Sequence, residues 1–462
     1  MNSSEKPIIR LVFDRGSILA EGASEAHLQE KPPLKLKWDE RVGGFRGIAL
    51  HYRALVRHFH HNGLSFQDEA GNYPEMELSQ ASPKVPFDHQ REALEAWTRG
   101  KRGTVELPTG SGKSQLAIMA METVGRGTLV IVPTLDLVTQ WCEVIQKAFG
   151  IEPGVIGGGS FEIAPITVCT YASAYRHVEK FGDQFCLVIF DECHHLAGEG
   201  YARIAEGLIA PYRLGLSATL ERPDQRHRLL DGLIGPVVYR KSITALSGST
   251  LAEYRVEKVY TELTPDEREA YKNARETYLA YVRELGVAPG GGTSFQRFIY
   301  TAGRTPEGRA ALDAFFLQKQ ITYSASGKFS LCAQLLSRHR EQRMLIFTND
   351  NATAYEISRR FLLPLITHQT RVAERREILA RLKDNRWPAV VTSKVLNEGV
   401  DVPAASVAII LSGNASVREH VQRLGRILRR DGDKQAILYE VLTRQTTEEF
   451  TSERRRQHDA YR

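Results

Sequence analysis

The sequence predicts an α/β protein with two separate parallel-sheet lobes, and three observations support this. Short apolar strands alternate with helical stretches over residues 85–245 and again over 327–462, as in parallel sheets covered on both faces. A glycine-rich turn follows an early strand of the first alternation. Residues 246–326 between the lobes are mostly helical in pattern and predict a thumb-like insertion. Residues 1–84 precede both lobes and predict a small mixed α/β domain.

The N-terminal domain combines strands with a helix. Residues 10–14 and 34–38 predict strands. Apolar residues recur at helical spacing over residues 47–61, which predicts a helix there. The histidines of this helix have no cysteine or carboxylate at ligand spacing, so they do not indicate a metal site.

A phosphate-binding loop is predicted where the strand at 104–107 leads into a helix at 115–122. Backbone N–H groups of such a turn can point at phosphate oxygens. Lys113 would reach the outer phosphates, and the Ser114 hydroxyl would ligate Mg²⁺. The residues expected to cradle the nucleotide are Pro108, Thr109, Gly110, Ser111, Gly112, Lys113 and Ser114. The general loop of this kind has glycine where Leu107 stands, so a turn without a ligand stays open as an alternative.

Two adjacent carboxylates follow a buried strand further along the chain. Residues 187–190 are continuously apolar, and Asp191 and Glu192 come next. Open parallel sheets bind ligands at the carboxyl ends of their strands. We therefore expect Asp191 to hold the metal through water and Glu192 to be the general base that polarises the attacking water. A solvated loop start is the alternative.

Three polar residues share one face of a helix predicted at 419–430. Gln422, Arg426 and Arg429 are four and three positions apart. Guanidinium groups aimed at the charge that develops in phosphoryl transfer raise rates by roughly 10³ to 10⁵. We expect this face to act on the terminal phosphate from the second lobe. A solvated arginine-rich helix is the alternative, although Gly425 favours close backbone packing.

The insertion carries helix signals and a mixture of aromatic and basic side chains. Thr264 is a good N-cap, Pro265 fits the first turn, and a further helix is expected at 306–320. Phe295 and Arg297 combine a ring with a guanidinium group, which can stack on bases and neutralise phosphates. An ordinary helical hairpin whose aromatics pack inward explains the same residues equally well.

Taken in order, these motifs resemble those of superfamily 2 helicases and translocases, from about Phe87 to Arg430. The resemblance implies two RecA-like lobes with ATP and Mg²⁺ as cofactors. It also implies that Phe87 and Gln90 contact adenine and that Asp401 contacts the ribose. The implied nucleic-acid contacts are Pro133, Thr134, Thr170, Thr348 and Thr392. The implied coupling residues are Ser217, Ala218, Thr219, Arg222 and Asp224.

Within the superfamily the chain resembles the XPB type of DNA repair helicase, in its short archaeal and bacterial forms. The string from Gln422 to Arg429 and the Asp-Glu-Cys-His box at 191–194 carry this likeness. It implies an ATP hydrolase that moves 3′ to 5′ on DNA in nucleotide excision repair, with an N-terminal damage-recognition domain. The family's Arg-Glu-Asp element reads Arg222-Pro223-Asp224 here, a departure that bears on strand separation rather than on ATP hydrolysis.

The composition of the chain is compatible with a DNA partner and a reducing compartment. The net charge is +6 with a pI near 8.9, which suits a polyanion. We expect single-stranded or junction DNA, bound with little sequence preference, and a nuclease as a candidate partner. The five cysteines form no CxxC pair, which favours a reducing compartment, and no apolar run approaches about 18 residues. These features predict a cytoplasmic protein without membrane spans.

Two other classes of function stay open. One is an ATP-gated clamp or scaffold that opens DNA for a partner nuclease without travelling along it. The other is a motor subunit of restriction or RNA-processing machinery, which would share the two lobes.

Overall fold

The computed structural model describes residues 8–28, 35–71, 73–221, 224–286, 293–393, 405–412, 425, 428 and 435–455. The expected site residues Arg222, Asp401, Gln422, Arg426 and Arg429 lie outside this part of the chain. The chain divides into two compact units, of which the first runs to Ala245 and the second begins at Leu246.

The first unit opens with a five-stranded sheet in the order β3-β4-β2-β1-β5. Its strands are β1 (Ile9–Asp14), β2 (Ser17–Glu21), β3 (Lys37–Asp39), β4 (Gly44–Ile48) and β5 (Phe66–Asp68). Helix α1 (Tyr52–His61) contributes Leu55 and Phe59 to the domain's core. The prediction of a helix from residue 47 was wrong at its start, because β4 pairs with β2 and a short 3₁₀ turn precedes α1.

This N-terminal sheet domain is attached to the amino ends of the strands that follow. The Arg53 guanidinium donates hydrogen bonds to the carbonyls of Gly100 (2.9 Å) and Pro211 (3.1 Å). Ile209 is buried within the core of the N-terminal domain. The carboxyl ends of the same parallel strands, where ligands bind, lie at the opposite edge of the sheet.

The larger sheet of the first unit has eight strands in the order β13-β6-β12-β11-β7-β10-β8-β9. They are β6 (Arg102–Glu106), β7 (Thr128–Val132), β8 (Gly154–Gly157), β9 (Ser160–Phe161), β10 (Ile166–Thr170), β11 (Leu187–Asp191), β12 (Tyr212–Ser217) and β13 (Val237–Arg240). All pair in parallel except β9. The accompanying helices are α2 (Asp88–Thr98), α3 (Lys113–Val124), α4 (Leu135–Phe149), α5 (Tyr171–His177), α6 (Ala202–Glu206), α7 (Leu229–Leu233) and α8 (Ile243–Leu246). The parallel α/β architecture predicted for this part of the chain is confirmed.

The second unit contains a six-stranded, fully parallel sheet in the order β14-β19-β18-β15-β17-β16. Its strands are β14 (Tyr254–Thr261), β15 (Met344–Phe347), β16 (Leu365–Ile366), β17 (Ala389–Thr392), β18 (Val407–Ile410) and β19 (Ala436–Thr443). Its helices are α9 (Pro265–Glu284), α10 (Thr293–Ala302), α11 (Pro306–Tyr323), α12 (Ser326–Arg338), α13 (Asn351–Phe361), α14 (Val372–Lys383) and α15 (Thr447–Arg455). Strand β14 falls within the predicted helical insertion and was missed. Its half-exposed residues mix charges with apolar side chains, so its sequence does not stand out as a buried strand.

The described residues that follow β14 in that insertion are mostly helical, as predicted. Helix α9 begins with a capping box, in which Thr264 and Glu267 each accept a backbone N–H from the other. Helices α9 and α11 pack side by side, with α10 against α11. We call the pair α9 and α11 the helical hairpin; it belongs to the second unit. Within the part of the chain that is described, no helix is both long and apolar enough to cross a membrane.

Candidate nucleotide site and strand-contacting edge

The sheet order brings the predicted motifs of the first unit to one edge. Strands β6, β12 and β11 are neighbours, and their carboxyl ends carry the phosphate-binding loop, Ser217 and Asp191. The next strands, β7 and β10, end beside Thr134 and at Thr170. One continuous edge therefore carries the residues expected to bind the nucleotide at one end and the residues expected to contact DNA at the other.

The phosphate-binding loop has the backbone that its glycines predict. Gly110 and Gly112 have φ of +87° and +83°, which side chains disfavour. A Cβ on Gly112 would lie 2.2 Å from the Gln90 amide nitrogen. Lys113 opens α3, and its ammonium donates to the carbonyls of Leu107 (3.0 Å) and Pro108 (3.3 Å). The lysine head group is thus held over the end of β6.

Two side chains of α2 form hydrogen bonds with the backbone of this loop. His89 Nε2 lies 2.8 Å from the Ser111 carbonyl. The Gln90 amide donates to the Gly112 carbonyl (3.0 Å) and accepts the Phe87 N–H (2.9 Å). Both polar ends of Gln90 are therefore engaged by backbone, so its contact with adenine stays a prediction that requires this amide to rearrange. The Phe87 ring is half exposed and stacks on His89 at a centroid distance of 5.6 Å.

Asp191 is fixed by two hydrogen bonds. Trp141 Nε1 donates to Asp191 Oδ2 (2.9 Å), and the Glu192 N–H donates to Oδ1 (3.0 Å). Burial raises the pKa of this carboxyl, while the Trp141 hydrogen bond and the nearby Lys113 charge act in the opposite direction. The structure thus brings Asp191 and Lys113 close enough for their charges to interact. Sequence spacing gave no sign of the Trp141 contact, which joins residues 50 positions apart.

Glu192 has an unusual backbone and a buried side-chain oxygen. Its φ is +48°, a left-handed conformation that non-glycine residues seldom adopt and that is enriched at functional sites. Its Oε2 atom is buried and has no hydrogen-bond partner among the described residues. Such atoms are rare in native proteins. A carboxylate oxygen in this state can accept a hydrogen bond from a water molecule, as a general base requires.

His194 lies between Glu192 and Ser217. Its Nδ1 atom lies 3.0 Å from Ser217 Oγ and 3.5 Å from Glu192 Oε2. The Ser217 hydroxyl donates to the Thr219 carbonyl (3.0 Å) and accepts the Thr219 N–H (3.2 Å), and its second lone pair can accept from a protonated Nδ1. A series of contacts through His194 therefore connects the predicted coupling residues Ser217 and Thr219 to Glu192, which follows β11. Ala218 lies between them, and Asp224 accepts the Arg226 N–H further along.

The oxygen donors at this edge suit Mg²⁺. The Asp191 carboxylate and the Ser114 hydroxyl are hard ligands, and Ser114 lies in the first turn of α3, which packs against β11. Mg²⁺ in nucleotide sites usually takes one or two protein ligands and completes its shell with water and phosphate oxygens. Among the described residues, no three histidine, cysteine, aspartate or glutamate side chains form a metal-binding cluster. A magnesium site with two protein ligands does not require such a cluster.

The edge of the first unit that is predicted to contact a DNA strand consists of helix starts and a glycine turn. Thr134 and Thr170 cap α4 and α5, accepting the N–H groups of Leu137 and Ser173. Pro133 precedes the first of these caps. A Cβ on Gly157 would lie 3.2 Å from the Thr170 methyl group and 3.3 Å from Leu135. The turn at 157–159, which was not predicted as a site, thus lies beside both helix starts.

The corresponding edge of the second unit carries Thr348 and Thr392. The Thr348 N–H donates to the Thr392 carbonyl (2.9 Å), which places the two residues side by side at the ends of β15 and β17. Both side chains are buried. The Thr348 hydroxyl donates to the Asp350 carbonyl (2.8 Å), so it shapes the following loop rather than pointing into solvent.

The expected base-stacking role of Phe295 conflicts with its position. Phe298, in α10, is 1% exposed and lies in the core that α10 forms with the helical hairpin. The Phe295 ring packs on Phe298 and on Phe315. Both rings therefore pack inward, as in the alternative of an ordinary helical hairpin. Arg297 is exposed, and Tyr300, which is 68% exposed, lies under the Arg304 guanidinium. The exposed aromatic residue of α10 is therefore Tyr300. It lies two positions after the buried Phe298, and residues at that spacing do not share a helix face.

Comparison with protein families matches most of the chain to three descriptions. Residues 11–70 match the "Xeroderma pigmentosum group B helicase damage recognition domain", and residues 314–459 match the "ERCC3/RAD25/XPB C-terminal helicase". Residues 84–222 match "Type III restriction enzyme, res subunit". The restriction-enzyme description thus covers only part of the first unit.

Similar proteins agree with these matches. The "DNA 3'-5' translocase XPB2" of Sulfurisphaera tokodaii is 38% identical over 423 residues, covering 91% of this chain and 96% of that protein. The "DNA 3'-5' helicase XPB" of Mycobacterium tuberculosis is 30% identical over 386 residues, or 80% of this chain and 63% of that longer protein. The Hef helicase domain of Pyrococcus furiosus has a similar fold, with a TM-score of 0.52 at 18% identity over 79% of this chain and 97% of that one.

Proposed function

Because this chain belongs to the XPB family of DNA helicases and translocases, we propose that it is an ATP-dependent motor that moves 3′ to 5′ on DNA and opens duplexes in nucleotide excision repair. The observation that carries the proposal is the shared edge of the first unit. There the phosphate-binding loop, Asp191 and Glu192 adjoin the helix starts at Thr134 and Thr170.

In this proposal each residue of the nucleotide site has one task. The loop from Pro108 to Ser114 offers backbone N–H groups to the phosphates, and Lys113 neutralises the outer ones. Mg²⁺, held by Ser114 and Asp191, would neutralise charge on the transferring phosphate. Glu192 accepts a proton from the attacking water. Gln422, Arg426 and Arg429 would stabilise the developing charge from the second lobe, and Asp401 would contact the ribose.

We further propose that hydrolysis shifts one lobe against the other along the DNA. The domain boundaries would be 1–84, 85–245, 246–326 and 327–462, with the first of these sensing altered DNA. Repair of this kind removes a stretch of strand, so we propose a nuclease as the partner that acts on the opened DNA. All five cysteines are free thiols, which suits the reducing cytoplasm.

DNA binding is expected to weaken steeply with salt and to depend little on sequence. The proposed contacts include the helix starts capped by Thr134 and Thr170, whose backbone N–H groups would bind phosphates, and phosphate contacts carry little sequence information. Titrating labelled single strands of two unrelated sequences between 50 and 200 mM salt, a range of about fourfold, would measure both properties. Affinity that is insensitive to salt, or that differs greatly between the sequences, would contradict this mode of binding.

Trp141→Phe is expected to lower ATP turnover about tenfold, the usual effect of removing a hydrogen bond that orients a metal ligand. The change deletes only the Nε1 donor to Asp191 and keeps an aromatic ring in the core. Trp97→Phe is the matched control, since Trp97 Nε1 donates to the Arg213 carbonyl at the other end of the strands. ATPase rates and thermal unfolding of both variants should show similar stability but different turnover.

The proposed function is tested by ATPase rates measured with single-stranded DNA, duplex DNA and RNA side by side. Stimulation by DNA and not by RNA is expected. A displacement assay on a 3′-tailed duplex, run with the same preparation, tests strand separation. Preferential stimulation by RNA would overturn the DNA assignment, and DNA-stimulated hydrolysis without displacement would favour the clamp.

A further inference from the structure

The base of the helical hairpin is hydrogen-bonded to the rest of the second unit through two tyrosine hydroxyls. Tyr271, in α9, accepts the N–H of Thr447 at the start of α15 (3.0 Å). Tyr323, the last residue of α11, accepts from the side-chain amide of Asn349 (2.9 Å). The two bonds are chemically alike, but only the second reaches the loop after β15, which begins with Thr348.

Asn349 lies in the loop that follows β15, between Thr348 and the N-cap of α13. Its backbone N–H donates to Ser412 Oγ (2.8 Å), two residues beyond the end of β18. Asp350 caps α13 by accepting the Thr353 N–H (2.7 Å). The neighbouring Leu411 carbonyl accepts from the buried Lys328 ammonium (2.5 Å). The backbone around Asn349 is therefore held on both sides.

The side chain of Asn349 is held much less firmly than its backbone. Among the described residues its Oδ1 atom has no hydrogen-bond partner, although it is buried. Within that part of the chain, Tyr323 is the only partner of its amide nitrogen. The orientation of the amide therefore depends on one phenolic hydroxyl, which belongs to the hairpin.

We propose that Tyr323 is a positioning residue for the DNA-contacting loop of residues 348–350. Its hydroxyl fixes the Asn349 amide and so joins the base of the helical hairpin to the edge that carries Thr348. Movement of the hairpin on DNA would then change the loop directly. The inference rests on the proposed function, because it assumes that this edge contacts DNA.

The test compares Tyr323→Phe with Tyr271→Phe in the full chain. Both variants remove one phenolic oxygen from the base of the same hairpin, so both should lose a similar, small amount of thermal stability. Tyr323→Phe is expected to reduce the turnover number stimulated by single-stranded DNA about fivefold, the effect of losing one neutral hydrogen bond. The turnover without DNA and the KM for ATP should stay at wild-type values. Tyr271→Phe should change none of these rates.

An Asn349→Ala background separates positioning from general destabilisation. Once the amide is absent, adding Tyr323→Phe should cause no further loss of DNA stimulation. Equal effects of the two tyrosine changes, an unchanged rate for Tyr323→Phe, or a full additional loss in the Asn349→Ala background would each overturn the inference. Wild-type protein that DNA does not stimulate would instead refute the proposed function, and the wild-type measurement alone would show it.

Discussion

Glu192→Gln is expected to lower ATP turnover by about 10² to 10⁴-fold while leaving the affinity for ATP unchanged. The substitution keeps the shape of the side chain but removes its ability to take a proton from water. The Oε2 atom that would accept this proton is buried and lacks a hydrogen-bond partner among the described residues, since its contact with His194 Nδ1 is 3.5 Å long. The substitution therefore removes no short hydrogen bond. Steady-state ATPase rates with DNA, together with binding of a fluorescent ATP analogue, measure the two quantities separately.

Lys113→Ala is the contrasting variant at the same edge. Its ammonium is placed over the loop by the carbonyls of Leu107 and Pro108, where triphosphate oxygens would replace them as partners. We expect this change to weaken ATP binding as well as turnover, unlike Glu192→Gln. A Glu192→Gln variant that hydrolyses ATP at the wild-type rate, or one that no longer binds it, would remove Glu192 from the role of general base.

The contents of this site could be predicted from the sequence, but its internal contacts could not. A glycine turn after one strand and a carboxylate pair after another indicate ligand binding, because parallel strands present their carboxyl ends together. The bond from Trp141 to Asp191 and that from His194 to Ser217 join residues 50 and 23 positions apart. No local pattern reports such pairs. The left-handed backbone at Glu192 is likewise set by the tertiary structure around it.

The fold shows the same division between local and distant information. The alternation of strands and helices in both lobes could be predicted because strands such as those at 128–132, 344–347 and 389–392 are short apolar runs that are buried on both faces. Strand β14 was missed because it lies at the edge of the sheet and is only half buried. Its place depends on pairing with β19, whose residues come about 180 positions later. Inward packing of Phe295 was weighed equally with stacking on bases, since spacing alone does not say which face of a helix is covered.

A buried ion pair holds together the carboxyl edge of the second sheet. Lys328 is 1% exposed, and its ammonium lies 2.8 Å from each carboxylate oxygen of Glu448. Glu448 also accepts the Thr443 N–H (3.0 Å) at the end of β19. The same ammonium donates to the Leu411 carbonyl just after β18. The pair thus ties the starts of α12 and α15 to the ends of two neighbouring strands.

Lys328→Met is expected to lower the free energy of unfolding by about 3 to 5 kcal/mol, because it leaves the Glu448 carboxylate buried without its cation. The double change Lys328→Met with Glu448→Met removes both charges and should recover much of that loss, since a buried ion pair and an apolar pair of similar volume differ little in stability. Lys272→Met is the matched control, because Lys272 and Glu276 form an exposed pair on α9, and exposed pairs contribute little. Urea unfolding of the three variants, followed by circular dichroism, measures the differences. If Lys328→Met proved no less stable than Lys272→Met, or if the double change were as damaging as the single one, the destabilisation could not be assigned to an uncompensated buried charge.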